Sequence, residues 1–129
     1  MKTLLVVFAA GCLGALANSI AVWQFGYFDI TSSFGVSIAP PLTPSWLYPR
    51  IVWGGIWGVL FILPILKSKP WLKGSILSLF PSAVQLFVVF PLHHKGMGGL
   101  ELGLYTPLFV LFFNWLWGIV TGFTIKFAR

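Results

Sequence analysis

The feature that most constrains this chain is an uncharged, apolar stretch at residues 3–25. A helix that crosses the hydrocarbon core of a bilayer, about 30 Å thick, needs roughly 20 consecutive apolar residues. Three further stretches are long and mainly apolar, each with one basic residue, at residues 46–66, 71–92 and 104–127. The pattern predicts an all-α integral membrane protein, in which residues 1–129 form a single polytopic domain, a bundle of four transmembrane helices.

The composition favours the same class. Of the 129 residues, 58% are hydrophobic and only 8% are charged, whereas roughly a quarter of the residues in a soluble domain are charged. The net charge of +6 arises because acidic residues are scarce. Basic residues lie at the ends of the apolar stretches and form no continuous stripe, so we expect the lipid bilayer, and no nucleic acid, as a partner.

The basic residues also predict an orientation. Arg50 and Lys95 would lie at one end of the bundle, together with both acidic residues, and the other basic residues at the end that carries the termini. By the positive-inside rule both termini are then cytoplasmic and loops 26–45 and 93–103 are external. The membrane is predicted to be a bacterial inner (cytoplasmic) membrane. The basic residues at the end with the termini are Lys2, Lys67, Lys69, Lys73, Lys126 and Arg129.

The N-terminus has a second interpretation. Lys2, the apolar residues after it and the small residues before Asn18 resemble a secretory signal peptide. The apolar stretch nevertheless continues to Phe25 without the polar break that is expected after a cleavage site. An uncleaved first span is therefore the favoured prediction.

Small residues recur along the predicted spans. In lipid no hydrophobic gain brings helices together, so the close approach of small residues and interhelical hydrogen bonds must hold them. We predict helix packing at glycines of the first, second and fourth spans. These are Gly11, Gly14, Gly54, Gly58, Gly118 and Gly122.

Polar side chains inside the predicted spans need partners, because the hydrocarbon region offers no water. Asn18, Gln85 and Asn114 carry full amide groups, and Ser78 and Ser82 lie in the third span. One interpretation is that they form hydrogen bonds that hold the helices together, and it is the favoured one. The other is that they line a polar path or bind a lipid headgroup, a quinone or a solute.

Both histidines, His93 and His94, lie in the second predicted external loop. Adjacent residues point in different directions in a helix and in an extended segment, and Lys95 beside them would repel a cation. A Cu(I) or Zn²⁺ site prefers more soft or carboxylate ligands than Met97 and Glu101 can supply. We therefore expect no metal and no cofactor, with the two histidines as weak candidates only.

Several function classes are disfavoured by what the spans lack. No acidic residue lies within a predicted span, although a proton-coupled transporter usually needs a titratable group there. The sequence also lacks an activated serine motif, a glycine-rich phosphate loop and paired cysteines. We therefore expect a non-enzymatic protein.

The first external loop, residues 26–45, is apolar in composition, and the alternation of Phe34, Val36 and Ile38 is compatible with a short extended segment. An apolar outer loop is consistent with a contact to another subunit. We expect an accessory subunit or helix-packing component of a membrane complex, in a homo-oligomer or with another membrane protein. The alternative is a small oligomeric channel or facilitator for a small solute or ion. A lipid- or quinone-binding site beneath the histidine loop is a third possibility.

Overall fold

The computed structural model describes residues 2–65 and 69–128, and no strand occurs among them. The chain forms three long helices, one helix of intermediate length and several short helical turns. Short 3-10 helices follow α3 at Val59–Ile62 and precede α5 at Met97–Leu102. In chain order the α-helices are α1 (Lys2–Tyr27), α2 (Ile30–Ser33), α3 (Pro44–Gly58), α4 (Pro70–Leu92) and α5 (Thr106–Phe127).

Within the described residues α1, α4 and α5 are long and apolar enough to cross a membrane. This confirms the prediction of an all-helical chain with transmembrane helices. The second predicted span, 46–66, differs, because α3 ends at Gly58 and one 3-10 turn extends it only to Ile62. Leu63 has extended backbone angles, as expected for a residue before a proline. Residue 66 lies outside the described residues.

The helices pack in antiparallel pairs. Gly11 of α1 lies against Gly58 of α3, and Ser19, farther along α1, contacts Arg50, which precedes Gly58 in α3. The helices α1 and α5 also run in opposite directions, as do α4 and α5. The main contacts therefore place α1 and α5 in the middle, with α3 against α1 and α4 against α5.

Glycines allow the backbones to touch at these contacts. A Cβ atom added to Gly11 would collide with the carbonyl oxygen of Gly54, and one added to Gly58 would lie 2.5 Å from the oxygen of Val7. Gly14 leaves space for Trp117. Each of these obstacles includes backbone atoms or a large buried ring, so a side chain at the glycine has no room.

The contact between α4 and α5 is equally close. Added Cβ atoms on Gly74 and Gly118 would each collide with the carbonyl oxygen of the other residue, and one on Gly122 would lie 2.6 Å from the oxygen of Pro70. The structure thus places all six glycines of the packing prediction at helix contacts, and Gly74, a small residue of the third predicted span, lies at one as well.

A buried lysine ties the second connection to the helices. Lys73, on the first turns of α4, is only 7% exposed. Its ammonium group donates to the carbonyl oxygens of Phe61, at 2.8 Å, and Leu63, at 2.7 Å. The last carbonyls of a helix have no partner within the helix, so this side chain satisfies groups where the 3-10 turn ends.

The two long loops meet at the opposite end of the molecule, which we call the loop end. The backbone N–H of Ser37 donates to the carbonyl oxygen of Leu102 at 2.8 Å. The Thr31 hydroxyl donates to the oxygen of Ile38 at 2.7 Å. The extended segment considered around residues 34–38 forms no strand in the structure. These residues instead lie against the loop before α5.

We expect Gly118→Ala to weaken the contact between α4 and α5, because the added methyl group meets the backbone of Gly74. Overpacking of this kind costs about 1–3 kcal/mol. The free energy of unfolding, measured by titration with a denaturing detergent, should fall by this amount. Ala9→Val is the control, since Ala9 is exposed on α1. Equal stability of both variants and the wild type would contradict the prediction.

Candidate functional site

Two polar side chains of α1 bind one arginine of α3. Asn18 of α1 is only 6% exposed, and its amide nitrogen donates to the carbonyl oxygen of Phe113 at 2.6 Å. The Arg50 Nη2 group donates to the Asn18 side-chain oxygen at 2.7 Å, and Nε donates to the Ser19 hydroxyl at 2.9 Å. The Arg50 side chain therefore reaches from α3 to α1.

The amide network continues from α1 to α5 and α4. The Asn114 amide nitrogen donates to the Ser82 hydroxyl at 3.1 Å and lies 3.5 Å from the Gln85 side-chain oxygen. The Asn18 amide nitrogen lies 3.5 Å from the Asn114 oxygen. We call this set the arginine–amide cluster. Its members are Asn18, Ser19, Arg50, Ser82, Gln85 and Asn114.

Ser78, also predicted as an intramembrane polar residue, lies outside this network. Its hydroxyl donates to the carbonyl oxygen of Ser75 at 2.7 Å, within α4. The Ser82 hydroxyl donates in turn to the carbonyl oxygen of Ser78 at 2.8 Å. These bonds lie on the turns around Pro81, whose missing N–H leaves the carbonyl of Leu77, four residues back, without its usual donor.

Arg50 has no acidic partner among the described residues. Its guanidinium lies over the Trp46 ring, 4.6 Å from the ring centre. The structure gives no ion pair for Asp29 or Glu101, and neither residue lines a cavity next to Arg50. The guanidinium charge is thus held by neutral oxygen atoms and by an aromatic face.

One π-helical turn distorts α4 at the cluster. It covers Gln85–Val89, and the N–H of Phe90 donates to the carbonyl oxygen of Gln85, five residues back. Pro91 follows directly and cannot donate to the regular α-helical ladder. A π turn shifts side chains relative to a regular helix, and Gln85 here lines the space beside Arg50.

Two cavities adjoin the cluster and share four of its residues. The outer cavity has a volume of about 460 Å³ and extends to Ser37 and Lys95 at the loop end. The lateral groove has a volume of about 410 Å³, and its lining includes Trp53 of α3 and Val89 of α4. The shared residues are Asn18, Arg50, Gln85 and Asn114.

A tryptophan lies beneath the cluster, toward the end that carries the termini. Trp117 is only 3% exposed, and its indole nitrogen donates to the carbonyl oxygens of Gly11, at 3.2 Å, and Gly54, at 3.3 Å. Its ring meets Phe61 edge to face. The helices are closely packed below this level, so the cavities extend toward the loop end and sideways.

The histidines stand apart from the cluster. His93 and His94 are exposed, and His94 adopts a left-handed backbone conformation. No group of three or more histidine, cysteine or acidic residues that could hold a metal ion occurs in the part of the chain that the structure describes.

The described lining of the outer cavity contains amide, hydroxyl, guanidinium and ammonium groups, and no carboxylate, histidine or cysteine. These groups can bind and orient a ligand by hydrogen bonds and charge. No protein-family model matches the chain, and neither a curated protein nor a solved structure matches it.

The arginine that organises the cluster was not among the predicted site residues. The relevant signal was its spacing, because Arg50, Gly54 and Gly58 follow one another at intervals of four and so lie on one helix face. A cation on the same face as packing glycines is directed toward the neighbouring helix.

We expect Asn18→Leu to destabilise the protein, because it removes an acceptor from Arg50 and a donor from the Phe113 carbonyl. Loss of a hydrogen bond to a buried charged group costs more than about 1 kcal/mol. Titration with a denaturing detergent should show a lower free energy of unfolding. The matched control is Gln24→Leu, an exposed amide on the same helix. A loss no larger than that of the control would contradict the role of Asn18.

Proposed function

We propose that this chain is a non-enzymatic, multi-pass membrane protein that binds a ligand at the arginine–amide cluster and acts as an accessory subunit of a membrane complex. One observation carries the proposal, namely that Arg50 lies among the helices without an acidic partner in the described residues. A charged residue at membrane depth is costly and usually marks a functional site.

The lining of the cavities favours binding over catalysis. Asn18, Gln85 and Asn114 are shared by both cavities and offer donors and acceptors in fixed positions. The amide groups bind one another as well as facing the cavities, so packing and ligand binding are both served by the same side chains. This combines the two interpretations that the sequence left open.

We propose a fourth span formed by α3 and its 3-10 turn. At 1.5 Å per α-helical residue and about 2 Å per 3-10 residue, Pro44–Gly58 and Val59–Ile62 together reach about 30 Å, which is the thickness of a bilayer core. Both termini would then be cytoplasmic, as the basic residues predict, in a bacterial inner membrane. The antiparallel contacts of α3 with α1 support this topology.

The outer surface supports an association with another chain. The loop at residues 28–43 exposes several large apolar groups at the loop end, including Phe28, Phe34 and Leu42. Exposed apolar side chains on a connecting loop favour contact with a partner or with lipid headgroups. We therefore propose a homo-oligomer or a complex with another membrane protein.

A channel or facilitator is the second candidate, and the shared amide groups of the two cavities favour it. Trp117 lies below the cluster and occupies the space between the cluster and the end with the termini. A path through a single copy would have to displace this ring, so conduction would require an oligomer.

The first test is native mass spectrometry of a tagged copy, extracted from its native membrane in a mild detergent. We expect a partner subunit at a fixed ratio and a noncovalently bound ligand mass. Arg50→Met should lose the ligand mass and keep the partner, while Lys126→Met, which removes an exposed charge at the other end, should keep both. A chain that carries neither partner nor ligand would refute the proposal.

The second test separates binding from conduction. Purified protein in liposomes should give no flux of small ions or solutes above that of empty liposomes. If flux is present, Asn114→Leu should reduce it when the amide cluster lines the path. Flux that is present and sensitive to Asn114→Leu would favour the channel and contradict the binding role.

A further inference from the structure

We infer that the ligand of the arginine–amide cluster is a membrane amphiphile with an anionic phosphate headgroup, whose headgroup lies in the outer cavity and whose hydrocarbon chain lies in the lateral groove. The inference rests on the proposed binding function and names the chemistry of the ligand.

The charge of the outer cavity selects the headgroup. Its described lining contains two cations, Arg50 and Lys95, and no acidic residue. Asp29 and Glu101 line neither cavity. A bound anion would supply the counter-charge that Arg50 lacks, in a region where an unpaired charge is costly.

The hydrogen bonds of Arg50 leave donors for this anion. Ser19 and Asn18 accept from Nε and from one N–H of Nη2. No described residue accepts from the N–H groups of Nη1 or from the other N–H of Nη2. Guanidinium groups bind phosphate oxygens through paired, charge-assisted hydrogen bonds. The Asn18 and Ser19 contacts fix the plane in which these donors lie.

The lateral groove is suited to the hydrocarbon chain of the ligand. On the α3 side it is lined by Trp53, which is 60% exposed, and Trp57, and on the α4 side by Val84 and Val89. Its lining is mainly apolar, and no acidic residue or lysine contributes to it. A polar solute would gain little from the apolar part of this groove, away from the cluster, whereas a hydrocarbon chain would contact it along its length.

The arrangement of the helices opens the groove toward the bilayer. The main contacts of α3 are with α1, and those of α4 are with α5, so α3 and α4 are separated beside the cluster. A lipid can therefore enter sideways from its own leaflet. Because both cavities share Arg50, Asn18, Gln85 and Asn114, one ligand that fills both has its polar and apolar parts joined at the cluster.

The inference is tested with the full chain in neutral detergent micelles by native mass spectrometry. Two lipids with identical chains are titrated separately, dimyristoylphosphatidylglycerol as the anionic probe and dimyristoylphosphatidylcholine as its zwitterionic control. We expect the anionic lipid to bind about tenfold more tightly, because both lipids offer the same phosphate but the choline cation of the control is repelled by Arg50 and Lys95. Arg50→Met should remove this preference, whereas Lys126→Met should retain it.

A second pair of variants tests the groove without changing charge. Val89 lines the groove and Val88 does not, and both are partly exposed, at 39% and 48%. We expect Val89→Trp to weaken binding of the anionic lipid at least about fivefold by filling the groove, and Val88→Trp to leave binding unchanged. Because both positions are exposed, the variants should fold, which size-exclusion chromatography would verify.

Competition with inorganic phosphate distinguishes a lipid from a soluble anion. We expect inorganic phosphate not to displace the anionic lipid. If phosphate displaces the lipid and Val89→Trp has no effect on binding, the ligand is a soluble anion and not an amphiphile. Equal binding of the two lipids to the wild type would overturn the inference. If a native ligand mass is nevertheless present and is lost in Arg50→Met, the proposed binding function stands and only the lipid identity of the ligand is refuted.

Discussion

The close approach of α1 to α3 and α5 is the constraint on which the rest of this structure depends. Gly11 and Gly54 bring the backbones of α1 and α3 into contact, and Gly14 leaves space for Trp117 of α5. In lipid such van der Waals packing is a main source of helix association. One turn farther along the same faces, the helices are still close enough for Asn18 to reach both Arg50 and Phe113. The glycine contacts thus set the geometry of the polar cluster.

The polar cluster follows a second rule, that each buried polar group needs a partner when water is absent. Asn18 accepts from Arg50 and donates to Phe113, and Asn114 connects to Ser82. Among the described residues the cluster holds a positive charge with neutral groups only. The same bonds that stabilise helix packing therefore leave a cation directed at a cavity, which is why we propose that structural and ligand-binding roles coincide here.

Much of the helical architecture was predictable because it depends on local composition. Uninterrupted apolar stretches predicted α1, α4 and α5 closely, since backbone groups in lipid must be satisfied within each helix. The prediction for α3 was too long, because Pro64 stops the helix beyond Ile62. Asn18, Gln85 and Asn114 were recognised as polar residues in spans, but Arg50 was not predicted as their partner. Its role depended on the neighbouring helix that its face meets.

The sequence by itself determined an all-helical membrane protein, the positions of its three long apolar helices, and the glycines and amides that could lie between helices. These properties follow from hydrophobicity and spacing within single segments. Only the tertiary structure decided that Arg50 turns toward Asn18, that Asn114 meets Ser82, and that α3 and α4 leave a groove between them. Such contacts join residues far apart in the chain, and they depend on the relative rotation of helices, which no single segment encodes.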